Sequence, residues 1–507
     1  MKRFELVLVG LFAAQLAMQG CSVPPAITVT PAAESSAVAV TSGSSVSVSA
    51  TSIVADTGQT GSEVSTLACG SSAGSYDRPA VDNALPDSVT AGRRIVAGLQ
   101  PSTTYFCRIS SSDSSQAPIT FTANTSAPAP STPITGLSMS AVQRYNSINP
   151  ANQMYGDTFY NCRSNDGVTY LTTDDTPGWR GDGSPATPFA TMSLVKFTGE
   201  DPLAGVTLNS FTGYGPASTA TGDDRRSEKD SGLFCMAGNL YMLIGRQLNQ
   251  ATGGMGSNTA YVQNAGQMIW SPDKGASWNS FQNPGVFDPN GSPTTPQSAT
   301  MFPDVPGNFG SATFVMYCAD DGTLGYLDAC NRTDNADAYV YVMANDGYWD
   351  SGNVLYLARV PRAKMSALQP SDYEFYVSGD GAADASWTRD QSKAQPVIAN
   401  PGKLGEPSVQ YLPALNRYLL LTYSYPEGLA AGSSHAQHTL WLGYEAAHPW
   451  GPWTLISSMD WPTQGYYNPV VLNDTAAGGV SPTIMFSGNF WDWSQYQMYT
   501  STLTVQH

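Results

Sequence analysis

Beyond residue 133 the chain alternates short apolar runs with turn-forming residues, and the runs fall into groups of four. The first group is 158–163, 168–173, 191–197 and 207–213; the second is 232–238, 239–245, 266–272 and 277–281. The third is 312–318, 338–344, 353–360 and 373–379; the fourth is 406–412, 417–425, 438–445 and 452–456. A fifth group, 468–474, 482–488 and 495–503, lacks a last strand, which 134–142 could supply from the other end of the segment. Each run is short and either apolar or alternating, as strands are, and no helical periodicity intervenes. Repeated four-stranded units of this kind predict an all-β fold with a five-bladed β-propeller over 134–507.

Residues 27–124 have another character. They are rich in Ser, Thr and Val and poor in aromatics, with Val38, Val40, Val46 and Val48 alternating with small residues. This predicts a separate β-sandwich. The segment Thr125–Pro133 (TSAPAPSTP) reads as a stiff linker, and all 11 tryptophans follow it, from Trp179 onward, which marks a domain boundary. The run Leu99-Gln100-Pro101-Ser102-Thr103-Thr104-Tyr105 resembles the fibronectin type III signature, in which the Tyr hydroxyl bonds back to the backbone; the usual Trp of that family is absent.

The first residues set the compartment. Lys2 and Arg3 precede a short apolar stretch, Leu6–Ala17, that ends at Met18-Gln19-Gly20-Cys21. Residues 1–21 therefore read as a signal peptide, and the site resembles a bacterial lipobox with Cys21 lipidated. The expected location is the cell envelope, on the outer membrane or cell surface, or outside the cell. Ordinary cleavage near Gly20 is the alternative. Setting Cys21 aside leaves six of the seven cysteines: Cys69, Cys107, Cys162, Cys235, Cys318 and Cys330. In an exported chain these are disulfide candidates, and the domain limits favour pairing them in that order. With 40 acidic against 23 basic residues and a net charge of −17, the surface repels polyphosphate, so nucleic acid is not an expected partner. A monomer is expected.

The chemistry follows from the first group. Ser164-Asn165-Asp166-Gly167 is a tight hairpin signal. Counting back along both strands puts Asp157 opposite residues 174–176, which include Asp174 and Asp175. Two carboxylates so placed suit glycosidic cleavage, one as acid and the other as nucleophile or base. Either could instead bond turn amides. The equivalent ends of the other groups carry Lys229, Arg246, Asp346, Glu406, Asn468 and Asn489, with Trp179 and Trp491 near enough to stack on a sugar. Those eight are the expected substrate-binding residues. His438 reads as a solvated or core residue rather than a ligand. No metal motif is visible and no cofactor is expected, although a Ca²⁺ held by mouth carboxylates would leave little trace in sequence.

Two resemblances sharpen this. Ser271-Pro272-Asp273-Lys274-Gly275-Ala276-Ser277-Trp278 is similar to the Asp-box of sialidase-like propellers, a structural turn, which makes Asp273 a staple rather than a catalyst. No sialidase-type F-R-I-P segment accompanies it. The runs YGDTFYNCRSNDGVTYLTTDD, KDSGLF, GEPSVQYLPALNRYLLLTY, HPWGPWTL and MFSGN resemble an exported bacterial five-bladed-propeller family, formerly a domain of unknown function, that includes endo-D-arabinofuranases. The resemblance implies hydrolysis of a polysaccharide by carboxylates. It matches Asp157 and Asp175, with Asp174 as the alternative. A lipid-anchored lectin or adhesin without catalysis, or a lyase using Lys229 as base, would fit the same composition.

Overall fold

In the computed structural model the described residues are 45–48, 53–56, 64–80, 93–96, 99–100, 102–112, 117–125, 131–148, 153–176, 179–180, 190–198, 207–216, 226–249, 261–280, 301–302, 309–318, 320, 339–346, 349–379, 385–427, 438–473, 479–489, 492 and 494–507. They are nearly all strand. Helical structure among them amounts to one turn at Tyr145–Ile148 and 3-10 turns at Arg362–Ala367, Pro370–Asp372 and Gln391–Lys393. The leader, Cys21 and Cys330 lie outside the described residues. No helix among those described is long and apolar enough to cross a membrane.

The N-terminal part forms two antiparallel sheets. One pairs Ser45–Val48, Ile53–Asp56 and Arg93–Val96; the other orders Arg78–Pro79, Ser65–Gly70, Thr104–Ser111 and Ile119–Asn124. Ile53, Leu67, Val96, Leu99, Tyr105 and Phe121 form the buried core between them. Cys69 and Cys107 are bonded across adjacent strands of the second sheet. The Gln100 amide donates to the Tyr105 hydroxyl at 2.8 Å, which ties the chain to its own strand five residues on.

From residue 136 onward the described strands fall into five antiparallel groups, called sheets below, two of them joined through a parallel pair, beside a two-stranded ladder of Gln153–Met154 and Trp179–Arg180. The first orders Asn161–Arg163, Thr169–Thr176, Ala190–Thr198 and Thr207–Pro216; the second orders Arg226–Met236, Asn239–Asn249, Tyr261–Ser271 and Asn279–Ser280. The fourth orders Ser408–Leu412, Arg417–Ser424, Thr439–Ala446 and Thr454–Trp461. The third begins Gly310–Met316, Tyr339–Asn345 and Gly352–Pro361. Its third strand then divides its far edge between Glu374–Ser378 and Pro396–Leu404, an elaboration that the four-strand pattern does not announce. The fifth runs Tyr467–Val471, Thr483–Ser487 and Met498–Gln506, and Gly136–Met139 adds beside the last of these, with Leu503 opposite Met139.

The first strands of the five sheets adjoin one another in cyclic order. The Cys162–Cys235 disulfide joins the first to the second. Phe234 stacks on Phe314 between the second and third, with ring centroids 5.2 Å apart. Val315 pairs in parallel with Val409 between the third and fourth. Asn468 donates to Glu406 between the fifth and fourth, and Asn161 donates to the Val471 carbonyl, which returns the circuit to the first. Cys318 is also disulfide-bonded. Its expected partner, Cys330, is outside the described residues.

The Asp-box-like turn is stitched by its own side chains. Asp273 accepts from the Ser271 and Ser277 hydroxyls and from the Ser277 amide, and the Ser271 hydroxyl in turn accepts from the Gly275 amide. Trp278 is buried in a core shared with Tyr170 and Leu194 of the first sheet. Lys274 reaches the hairpin of that sheet, donating to Ser164 and to Asn165 Oδ1.

Candidate active site

The hairpin at Ser164–Gly167 sets the register of the first sheet: the Gly167 amide donates to the Ser164 carbonyl, and Asn161 lies opposite Leu171. Four residues before Asn161, Asp157 lies opposite Asp174. The two exchange both backbone hydrogen bonds, at 3.2 and 2.8 Å. Directly opposed residues project from the same face of a sheet, with Cβ atoms about 5 Å apart.

Their carboxylates turn towards different neighbours. Asp157 Oδ2 accepts from the Tyr467 hydroxyl of the fifth sheet at 2.5 Å, and Oδ1 accepts from the Thr158 hydroxyl at 2.9 Å. Asp174 Oδ1 accepts from the Asp230 amide of the second sheet at 3.1 Å. Asp157 is half-buried, whereas Asp174 is buried.

The backbone around Asp157 is specialised. Gly156 has a φ of +117°, and a Cβ there would come within 2.4 Å of the Thr173 hydroxyl and 2.7 Å of the Asp174 carbonyl. Thr158 is left-handed with a φ of 58°, a costly conformation for a β-branched residue. Asn468 is left-handed too, with a φ of 50°.

Beside this pair lie more buried acids. Asp230 and Glu406 are buried, and Glu406 Oε2 accepts from the Asn468 side chain at 2.8 Å. The Glu406 amide donates to the Trp349 carbonyl. Tyr160 donates to the Pro407 carbonyl; burial, then the charge of Glu406, keeps its phenol protonated far above the ordinary range. Tyr423, Tyr425 and Tyr467 form a mutually packed group with Trp349. Burial raises the pKa of all three phenols; Asp350 and Asp157 then raise Tyr425 further, and Glu406 is the leading charge on Tyr423.

The remaining sequence-predicted residues are placed as follows. Asp346 uses both oxygens on one neighbour, accepting from the Asn353 amide at 2.9 Å and its side chain at 2.6 Å, so it closes the turn that carries it. Asn489 is buried at the end of the second strand of the fifth sheet. Lys229 pairs with Gly245, Arg246 with Glu228 and Asn264, and Trp179 with Met154. The side chains of these three and of Asp175 are outside the described residues, as is Trp491. His438 bridges Glu427 and Asp460. Among the described residues no group of three or more His, Cys, Asp or Glu is arranged to hold a metal. Tyr467, whose hydroxyl holds Asp157, was missed by sequence reasoning.

The profile of a family described as a domain of unknown function, DUF4185, matches residues 146–499. The chain belongs to the DUF4185 family. The match starts before the Asp157 strand and ends within the last strand of the fifth sheet, so it contains every acid of the DUF4185 site named above. No curated protein matches the chain. Among solved structures it is similar to a Bacteroides ovatus protein provisionally described as a hydrolase, with 14% identity, a TM-score of 0.43, and 72% of this chain and 93% of that one covered. It is also similar to a levansucrase variant of Bacillus subtilis (10% identity, TM-score 0.38, 72% and 90% covered). A third is an α-L-arabinofuranosidase of Lactobacillus brevis (12%, 0.37, 71% and 94%).

Proposed function

We propose that this chain is an exported glycoside hydrolase that cleaves a polysaccharide, with arabinofuranosyl-containing glycans as the first class to test. The observation that carries the reading is the backbone-paired Asp157 and Asp174, on one face of the first sheet, at the end where Asp230, Glu406 and Tyr467 converge. The cyclic contact of five sheets supports a five-bladed propeller, in which the starts of first strands and the ends of second strands open on one face. The two N-terminal sheets and the Gln100–Tyr105 bond support a fibronectin type III-like module before it. In this reading the module and a lipid on Cys21 hold the hydrolase at the cell envelope.

Asp157 serves as nucleophile or base. It is half-buried and so within reach of a substrate, and two hydroxyl donors hold its charge. The carboxyl paired with it serves as the acid, and Asp174 also accepts from the Asp230 amide of the second sheet. The resemblance gives Asp175 first and Asp174 as the alternative; the backbone bridge favours Asp174 as the partner of Asp157. The test is reducing-sugar release from arabinan, arabinogalactan, xylan and sialylated glycans by protein beginning after Cys21. Release that disappears in Asp157→Asn and Asp174→Asn supports the reading. Release undiminished in both variants, or none from the wild type on any glycan, refutes it.

A further inference from the structure

The segment that joins the N-terminal sheets to the rest of the chain is held on both sides. On the N-terminal side Thr125 is buried; its hydroxyl donates to the Gln100 carbonyl at 2.7 Å and its amide to the Thr103 carbonyl at 2.9 Å. On the other side Ser131 and Thr132 are fastened to the turn of the fourth sheet. The Ser131 hydroxyl donates to the Asn416 carbonyl at 3.2 Å and accepts from Arg417 at 3.3 Å, and the Thr132 amide donates to the Leu415 carbonyl at 3.0 Å. Arg417 is itself fixed, with two nitrogens on the Glu445 carboxylate at 2.7 and 2.8 Å. Ile134 is buried in one cluster with Leu412 and Leu415, the Thr135 amide donates to the Gln506 carbonyl, and Gly136–Met139 then joins the fifth sheet.

The turn that receives this strap lies at the far end from the paired acids. Ser408–Leu412 starts beside Glu406 and runs to the turn. Arg417–Ser424 returns to Tyr425, which packs on Tyr467, the partner of Asp157. The eight residues of that return strand rise about 23 Å. Buried side chains also tie the far end together. The Asp320 amide donates to the Arg163 carbonyl, and its carboxylate accepts from the Gly238 amide at 2.8 Å. Gln410 donates to the Tyr317 carbonyl at 2.9 Å; Asn473 donates to Gln410 Oε1 through its side chain and to Asn161 Oδ1 through its amide. Asn161, Asp320, Gln410 and Asn473 are buried, and with their partners they draw on all five sheets. Such a network leaves the acid end for substrate and the far end for attachment.

From Thr125 to Ser131 the chain takes six steps, which reach at most about 22 Å. The N-terminal module therefore ends within that distance of the fourth-sheet turn. From this we infer that the far end is an attachment face: its occupant is the N-terminal module, and Asp157 opens away from whatever surface holds the N-terminus. The placement stands apart from the hydrolase reading above; its consequence for substrate rests on that reading. With Cys21 in a lipid layer, the layer lies behind the five sheets. The acids then meet a polysaccharide arriving from the opposite side, not one lying against that layer.

Distances between paired spin labels test the placement in the chain beginning after Cys21, with the labels on encoded ketone residues so that the native disulfides stay intact. One label replaces Thr120, exposed on the module; the other replaces Leu455 or Thr463, both exposed. Leu455 lies opposite Tyr444 and so towards the strap, whereas Thr463 follows the end of that outer strand, where Asp460 lies opposite Leu440 and Leu440 opposite Ser424. Leu455 to Trp461 rises about 20 Å, so Thr120 should lie nearer Leu455 than Thr463 by about 10 Å or more. A smaller difference, or the reverse order, overturns the placement. Thr132→Pro removes the amide that bonds Leu415 and should broaden the Thr120–Leu455 distribution; an unchanged width overturns the role of the strap. For the consequence, protein coupled to beads through its N-terminus should keep its release from a soluble polysaccharide, and protein coupled through Thr463 should lose most of it. Equal release from the two couplings would sink the orientation. A wild type inactive on every glycan removes the hydrolase reading and leaves the distances to decide the placement.

Discussion

Tyr467 offers the cleanest perturbation of the site. It is buried, its ring packs on Trp349, Tyr423 and Tyr425, and its hydroxyl donates to Asp157 Oδ2 at 2.5 Å. Tyr467→Phe keeps the ring and removes only that donor. A hydrogen bond to a charged group contributes about 1.5–3 kcal/mol, and about 1.4 kcal/mol corresponds to one pH unit of titration. If Asp157 acts ionised, losing the donor makes its charge harder to hold. The acid limb of kcat/KM should therefore move upward by about 1–2 pH units, with activity falling at acid pH and recovering towards neutrality. The profile is measured with the polysaccharide that the wild type cleaves. Carboxyl ¹³C shifts, assigned with Asp157→Asn, follow the same titration without turnover. An acid limb and a carboxyl titration both unmoved, in a variant that melts cooperatively, would refute the assignment of Asp157 as the ionised group.

Three further outcomes are expected. Gly156→Ala must place a methyl against the Thr173 hydroxyl and the Asp174 carbonyl at a φ of +117°, so it should destabilise the protein by about 1–3 kcal/mol and reduce activity, read by thermal melting and sugar release. Replacing Cys162 and Cys235 together by alanine opens a cross-link spanning 73 residues and should lower unfolding stability by about 4 kcal/mol on the chain-entropy account, measured by denaturant titration. At His438 burial lowers the pKa, but the bonds to Asp460 and Glu427 and their charges outweigh it, for a net rise. The clasp should be complete below about pH 6.5 and lost as pH rises through the folded value; His438→Gln should therefore melt below wild type at pH 6 and converge with it in alkali, by a difference within about 1 kcal/mol for so exposed a cluster.

What the sequence made legible was whatever depended on period. Short apolar runs between turn residues located most strands of the five sheets to within a few residues; inner strands such as Ser408–Leu412 and Arg417–Ser424 are buried on both faces and read as continuous apolar runs. The turn at Ser164–Gly167 carried that period into a pairing of Asp157 with the Asp174–Asp175 doublet. It could not choose between the two acids, and the structure shows why. Opposed residue numbers sum to 332 at Asn161–Leu171 but to 331 at Asp157–Asp174. The slip occurs where Thr158 turns left-handed and Gly156 adopts a φ that only glycine tolerates. A one-residue slip reverses the face a side chain takes, so the doublet is resolved by backbone conformation, which hydrophobic pattern does not encode.

The loop acids are ambiguous in sequence for a related reason. Asp346 and Asp350 share one connection, and short polar loop residues serve turns and chemistry alike. Sequence position favoured Asp346, the acid nearer the strand end. The structure gives Asp346 to Asn353 and sets Asp350 beside Glu406 and Tyr425. The two are coupled. By holding Asn353, Asp346 sets the height at which the Trp349–Asp350 segment meets the fourth sheet. Gly352 completes the fit, since a Cβ there would come within 2.3 Å of the Leu404 carbonyl and 2.8 Å of Asp346 Oδ1. Asp346 thus shapes the loop that carries Trp349 and Asp350 to the fourth sheet.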